Sequence, residues 1–302
     1  MNDRVFSIIA FMGLMCVAVS LQACGNRNIA VAGHPAATVN QAEPEARFAS
    51  LDTLADFMIQ DVLENGSLEK LVSRYESQTA AIASYWALNG KEGDPHDMAN
   101  TVFKDLTALA DSLSGFSTMD MVLSGEITCA MEHYLTAQDY CRHYSKNPLY
   151  QAEMRDWLQL EDTLRMFYGE LGYLTYWGGS IARIIASGSM AFLAETRHND
   201  YSQLKKGGNF AHSEVPTIAE ALTTLTEELR AAKSLEDDMN ADDHYYREML
   251  KEMRGHADIV VLLIDKWLTS RKRLCEAEGI PEAHTAHLVT LLSGHITEII
   301  EQ

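Results

Sequence analysis

The sequence predicts an all-α body, and three observations predict it. Apolar residues recur every three or four positions, and no segment carries a convincing run of period-two alternation. Past residue 46 the prolines stand only at 95, 148, 216 and 281, each where a new helical pattern begins. Leu51, Leu54, Met58 and Val62 make the first stripe. Asp94-Pro95 then pairs an N-cap residue with a proline at the first helical position, where a missing N–H costs nothing, and Val102, Leu106, Leu109 and Leu113 make the stripe that follows. Asn147-Pro148 repeats that start and leads into a longer seam of Trp157, Leu160, Leu164, Phe167, Leu171 and Leu174. Thr217-Ile218-Ala219-Glu220 has capping-box spacing and opens the stripe Ile218, Leu222, Leu225 and Leu229. A second long seam runs through Leu250, Met253, Ala257, Val260, Ile264 and Trp267.

Seams that step by three and four suit helices crossing at about 20°, so the expected architecture is an antiparallel helical bundle. Trp157 and Trp267 are expected in its core, where alanine at either position costs about 3–5 kcal/mol through the cavity it leaves. Gly207-Gly208-Asn209 marks a break. It divides the body either into two helical units, 47–206 and 212–302, or merely into two stretches of one continuous bundle.

Composition narrows the function classes. The 302 residues carry 24 basic against 43 acidic side chains, a formal charge of −19. A phosphate-binding surface needs clustered Lys and Arg, so nucleic acid is not an expected partner. A large acidic surface suits cationic partners instead.

The N-terminus reads as an address. A short, weakly basic start at 1–4 precedes an apolar run from Val5 to Ser20, which ends at Leu21-Gln22-Ala23-Cys24. The run is too short for a comfortable membrane span, and small Ala23 before Cys24 fits cleavage between them. Residues 1–23 are therefore expected to be a lipoprotein signal peptide, and Cys24 the acylated, palmitate-bearing first residue of the mature chain. Two acyl chains plus an acylated amine give stable anchoring where one chain would be marginal. Residues 24–46, small and poor in large apolar groups, form the expected tether, holding the body a few nanometres from the bilayer. The expected location is the bacterial cell envelope, on an outer-membrane lipoprotein facing the periplasm or the surface.

Beyond Cys24 the mature chain holds Cys129, Cys141 and Cys275, an odd number in a compartment that permits disulfides. Twelve residues of continuous helix would hold Cys129 and Cys141 about 18 Å apart, beyond disulfide reach. Three possibilities stay open: the helix is interrupted between them, Cys275 pairs with one of them, or all three are free.

Ser67-x-x-Lys70 and Ser202-x-x-Lys205 have the spacing of a serine nucleophile and its base, but no Lys-Thr-Gly accompanies them, and Ser67 is better placed as an N-cap. Glu195-x-x-His198 is one half of a di-iron pattern without its second half. Asp238, Asn240 and Asp242 alternate as in a calcium loop, yet Asp243 replaces the glycine and Met249 the closing glutamate. His284, His287, His295 and Glu298 fall on one side of the last helix and are expected to form a solvated stripe that titrates near neutrality. No cofactor, metal or catalytic residue is expected.

Trp157-Leu158-Gln159-Leu160-Glu161-Asp162, then Trp177-Gly178-Gly179-Ser180-Ile181-Ala182, then Leu193-Ala194-Glu195-Thr196-Arg197 resemble the second half of the LprI-type lysozyme inhibitor family in order and spacing. In that family a helix with Trp-Leu and an Arg-Asp pair leads to Gly-Gly-Ser/Thr-Ile-Ala and then a Leu-Thr-Arg ending. This chain has Glu161-Asp162 for Arg-Asp, and Arg165 and Ser189 where the family has cysteines. Trp267-Leu268-Thr269-Ser270-Arg271, with Cys275 at the family's spacing from Trp267, is a second echo without a double glycine. Physically the segment is a hairpin turn, with a glycine in the left-handed C′ position and Ser180 able to cap the next helix. The resemblance implies a non-catalytic, lipid-anchored helical protein that binds lysozyme or another cationic envelope protein. Tyr176, Trp177, Gly178, Gly179 and Ser180 are the expected contact turn. A scaffolding envelope lipoprotein is the alternative.

Overall fold

The computed structural model describes residues 45–63, 66–91, 97–115, 117–176, 178–205, 216–235 and 244–301. The expected signal peptide and tether up to residue 44, Cys24 and Trp177 lie outside them, as do Asp94-Pro95 and Gly207-Gly208-Asn209. The fold is all-α, and among the described residues there is no strand. Among the described residues nine α-helices follow one another: α1 Leu51–Leu63, α2 Leu68–Leu88, α3 Met98–Leu113, α4 Thr118–Asp139, α5 Pro148–Thr175, α6 Gly179–Lys205, α7 Ile218–Lys233, α8 His244–Glu278 and α9 Glu282–Glu301. None is long and apolar enough to cross a membrane.

Local chemistry sets the starts. Ser67 Oγ accepts from the Lys70 N–H at the head of α2, which accounts for that Ser-x-x-Lys spacing without catalysis. Asn147 Oδ1 accepts from the Leu149 N–H, with Pro148 in the first turn of α5. Thr217 and Glu220 close a reciprocal capping box on α7, and Ser117 with Asp120 closes another on α4.

The α5–α6 hairpin is the spine. α8 runs antiparallel along α5, a register fixed by Lys266 Nζ to Gln159 Oε1 at 2.6 Å and His256 Nδ1 to Glu170 Oε2 at 2.7 Å. α4 lies along α6, closely enough that a Cβ on Gly125 would stand 2.9 Å from Ser187 Oγ. α1, α2 and α3 pack about α4, while α9 pairs with α7 and closes on α5 and α6. Two apolar clusters result. One gathers Leu54, Met58, Val102, Leu106 and Tyr134 around α4; the other gathers Trp157, Phe167, Leu171, Trp267 and Leu292 around α5 and α8. Helices before and after residues 207–209 share that second cluster, and residues 43–302 form one compact unit.

Cys129, Cys141 and Cys275 are all free thiols. α4 stays helical through Cys129 and passes into a π turn, Tyr140–Tyr144, that carries Cys141. Burial pushes the Cys141 thiol up to about 12, and burial raises Cys275 as well, so neither is a ready nucleophile.

The solvated histidine stripe expected on α9 is not what forms. His284 is buried, and His295 is stacked on Phe192 at 4.1 Å with Nε2 2.9 Å from Ser189 Oγ, while His287 is half-buried. The reason is that α9 is covered on several sides at once, by α7, α5 and α6. Desolvation depresses His295 below the usual imidazole value, against the pull of Glu298.

Candidate functional site

Two places concentrate polar chemistry: the tip of the α5–α6 hairpin and a charged network inside the bundle. At the tip, the Tyr176 N–H donates to Gly172 O and the Gly178 N–H to Tyr173 O at 2.8 Å, which closes α5. Gly178 and Gly179 both take left-handed φ, +70° and +75°. A Cβ on Gly178 would stand 2.7 Å from the Tyr173 ring, so a larger residue there would displace that ring as well as strain the backbone. α6 begins at Gly179, so Ser180 stands in its first turn instead of capping it, and the second glycine completes the reversal. Gly178 is buried and Tyr176 half-buried, while Gly179, Ser180 and Ile181 face solvent. Of the expected contact turn, Gly179 and Ser180 are thus exposed, Tyr176 is half-buried, Gly178 is buried and Trp177 lies outside the described residues.

The interior network rises from one stripe of α5. Glu153, Trp157, Glu161 and Arg165 recur every four residues among the apolar seam positions, and the first three are buried. Glu153 Oε2 meets Arg197 Nη2 of α6 at 2.5 Å, and Glu153 Oε1 accepts from the Trp267 indole N–H of α8 at 2.7 Å. Arg197 Nη1 also reaches Asp200 Oδ2 at 2.6 Å. Arg271 of α8 lies 2.5 Å from Asp200 Oδ1 through Nη2 and 3.4 Å from Glu153 Oε1 through Nη1. His284 Nδ1 stands 3.0 Å from both Asp200 Oδ1 and Arg271 Nη2. The Arg197 guanidinium stacks over Trp157 at 4.7 Å and Tyr201 at 4.5 Å.

Two carboxylates, Glu153 and Asp200, offset two guanidiniums, Arg197 and Arg271, at this centre. Burial alone would raise Asp200, but Arg271, His284 and Arg197 overcome it and hold the carboxyl far below its usual range. Burial likewise pulls Arg271 down, and Asp200 and Glu153 more than reverse it. Charges locked to one another this closely hold four helices in register. On the far side of Thr285, whose hydroxyl accepts from Arg271 Nε at 3.4 Å, lies a depression of about 170 Å³ bordered by Leu268, Lys272, Cys275 and Ile280. Among the described residues no three His, Cys, Asp or Glu side chains group as metal ligands.

A second buried pair sits farther up the stripe. The Trp157 indole N–H donates to Glu161 Oε2 at 3.2 Å, and Glu161 Oε1 lies 2.8 Å from His133 Nε2 on α4. Desolvation disfavours the imidazolium, but the Glu161 carboxylate outweighs it and holds His133 up to about 10. Because that value is raised above the unfolded one of about 6.5, the pair's contribution is fully present below pH 6.5 and is lost as pH rises through 10. Denaturant midpoints are therefore expected to fall between pH 7 and pH 10 more steeply for the native chain than for His133→Gln, and equal slopes would remove this role. Asp162, next to Glu161, accepts from the Gly66 N–H at 3.0 Å and so fastens the start of α2. Arg165 Nη2 reaches Met190 Sδ at 3.6 Å, across the hairpin.

The sequence pattern points to neither Glu153, Asp200 nor His133, and it offers Arg271 only as the end of the second echo and His284 only as part of a solvated stripe. The available signal was the polar residue at every fourth place of the Trp157 seam. No family model, curated protein or solved structure matches the chain.

Proposed function

We propose that the chain is a lipid-anchored, non-catalytic binding protein of the bacterial cell envelope, and that it binds and inhibits lysozyme. The observation that carries the reading is the exposed Gly179-Ser180-Ile181 tip, at a reversal closed by the Gly178 N–H donating to Tyr173 O. A preorganised tip loses little conformational freedom when it docks. Three further features support it: the signal-peptide and Cys24 pattern for the anchor, the resemblance around the double glycine for the partner class, and the −19 charge for attraction to a cationic enzyme. Interior charges paired with one another support a structural use of those groups.

The test is lysis of a peptidoglycan suspension by cationic muramidases with and without the chain from residue 25 onward. Lysis is expected to slow, and Ile181→Asp with Ser180→Trp to weaken the inhibition at least about tenfold, the loss of a single central contact. Unchanged rates with several muramidases overturn the proposal. A scaffolding lipoprotein is the second reading, favoured by the exposed apolar side of α8, and capture of envelope proteins from solubilised membranes by the anchored chain discriminates it.

A further inference from the structure

Where the head of α7, the last turns of α8 and the first turn of α9 converge, the bundle leaves the depression of about 170 Å³ beside Thr285. Its walls are the apolar side chains of Ile218, Leu268 and Ile280, and its floor is polar. Thr285, 3% exposed, brings a hydroxyl to that floor, and Cys275, 6% exposed, a thiol. The Thr285 oxygen already accepts from Arg271 Nε at 3.4 Å. Its proton has the Cys275 sulfur at 3.8 Å, a weak acceptor at the limit of reach. An oxygen atom brought onto the floor is a better partner for that proton.

The mouth tells against an anion. Lys272 stands 4.0 Å from Glu276, which offsets it, and Glu282 adds a second carboxylate. A carboxylate or phosphate pushed inside would also lose its water to apolar walls. Volume bounds the ligand from above, since an apolar cavity of about 150 Å³ holds one benzene ring.

We propose that this pocket binds a small neutral molecule, one ring or a chain of about six carbons carrying a hydroxyl or carbonyl oxygen, with that oxygen accepting from Thr285. The ligand then touches α7 through Ile218, α8 through Leu268 and α9 through Thr285, and it meets the charged network at a single atom, Thr285 Oγ. So few heavy atoms give modest affinity, with a Kd of about 1 mM. The register of α8 on α5 puts the pocket toward the opposite end of α8 from the hairpin tip, so the site is separate from the proposed lysozyme contact.

Ligand-observed NMR titrations of the chain from residue 25 with benzyl alcohol, toluene and benzoate, each to about 10 mM, test it. Benzyl alcohol is expected to bind at one site, and benzoate at least about tenfold more weakly. Thr285→Val keeps the shape and removes the donor, so it should weaken benzyl alcohol about fivefold and leave toluene unchanged or tighter. Ile280→Trp fills the pocket from the turn between α8 and α9, where Ile280 is half-buried, and should abolish binding of both with an unchanged thermal melt. No binding of benzyl alcohol, benzoate as tight as the alcohol, I280W binding like the native chain, or a Thr285→Val effect equal for the alcohol and toluene overturns the proposal. Loss of the pocket leaves the lysozyme reading standing, because inhibition of lysis reads the other end of the bundle.

Discussion

Asp200→Ala is expected to lower the stability of the fold by about 3–5 kcal/mol, the cost of removing one partner from a buried ion pair. The Asp200 side chain is 2% exposed and bonds Arg197, Arg271 and His284 at once. Without it two guanidiniums face Glu153 alone, and the core holds a net positive charge with no water to solvate it. Asp200→Asn keeps the volume and loses the charge, so it should be nearly as damaging. The paired control is Asp200→Ala with Arg271→Met, which removes both charges and should recover much of the loss, because an apolar replacement of a whole buried pair is often neutral. Urea midpoints of the native chain, the singles and the double supply the cycle. The acid limb offers a second readout: the Asp200 value lies below its unfolded one, so its contribution is present above about pH 4 and is lost as pH falls through the folded value. A single variant within about 1 kcal/mol of the native chain would show that the carboxylate is not what balances the two arginines.

The sequence revealed the frame of this body and missed its interior. Apolar stripes over Leu51–Val62 and Val102–Leu113 lie on α1 and α3, and the Pro148 and Thr217 starts are the observed starts of α5 and α7, because exposed or half-covered helices must show a 3.6-residue pattern and a cap. α4 carried no such stripe. It is surrounded by α1, α2, α3 and α6, so small and polar residues such as Gly125, Ser124 and Thr128 are spread around it, and close approach replaces an apolar face. The charged network was hidden for a related reason. Glu153 and Arg197 are 44 residues apart, and Glu153 and Arg271 are 118 apart, so beyond the place of Glu153 in the Trp157 seam nothing local distinguishes them from surface charges. His284 and His295 misled in the same way: helical spacing gave their side of α9 but not the helices that cover it. At the hairpin, the double glycine was legible as a reversal because two left-handed residues admit few alternatives, while the exposure of its tip depends on distant packing.

The second large effect is expected at the two tryptophans where the α5 and α8 seams meet. Their rings stand edge to face, centroids 5.5 Å apart at 65°, and neither has measurable exposure. Trp157→Ala or Trp267→Ala should each cost about 3–5 kcal/mol from lost burial and the cavity left behind. More than volume is at stake, since each indole N–H serves a buried carboxylate: Trp267 donates to Glu153, and Trp157 donates to Glu161. Phenylalanine separates the two contributions. It keeps most of the ring but no donor, so Trp267→Phe should cost about 1–3 kcal/mol, the penalty of a buried acceptor left short of a partner. Glu153 keeps Arg197 and Arg271, whereas Glu161 keeps only the His133 contact among these groups, so Trp157→Phe should cost at least as much as Trp267→Phe. Because the rings touch, the double alanine variant should fall short of the sum of the singles by about 0.5 kcal/mol or more. Strict additivity, or native-like thermal melts for both alanine variants, would mean that the two seams do not meet at these rings.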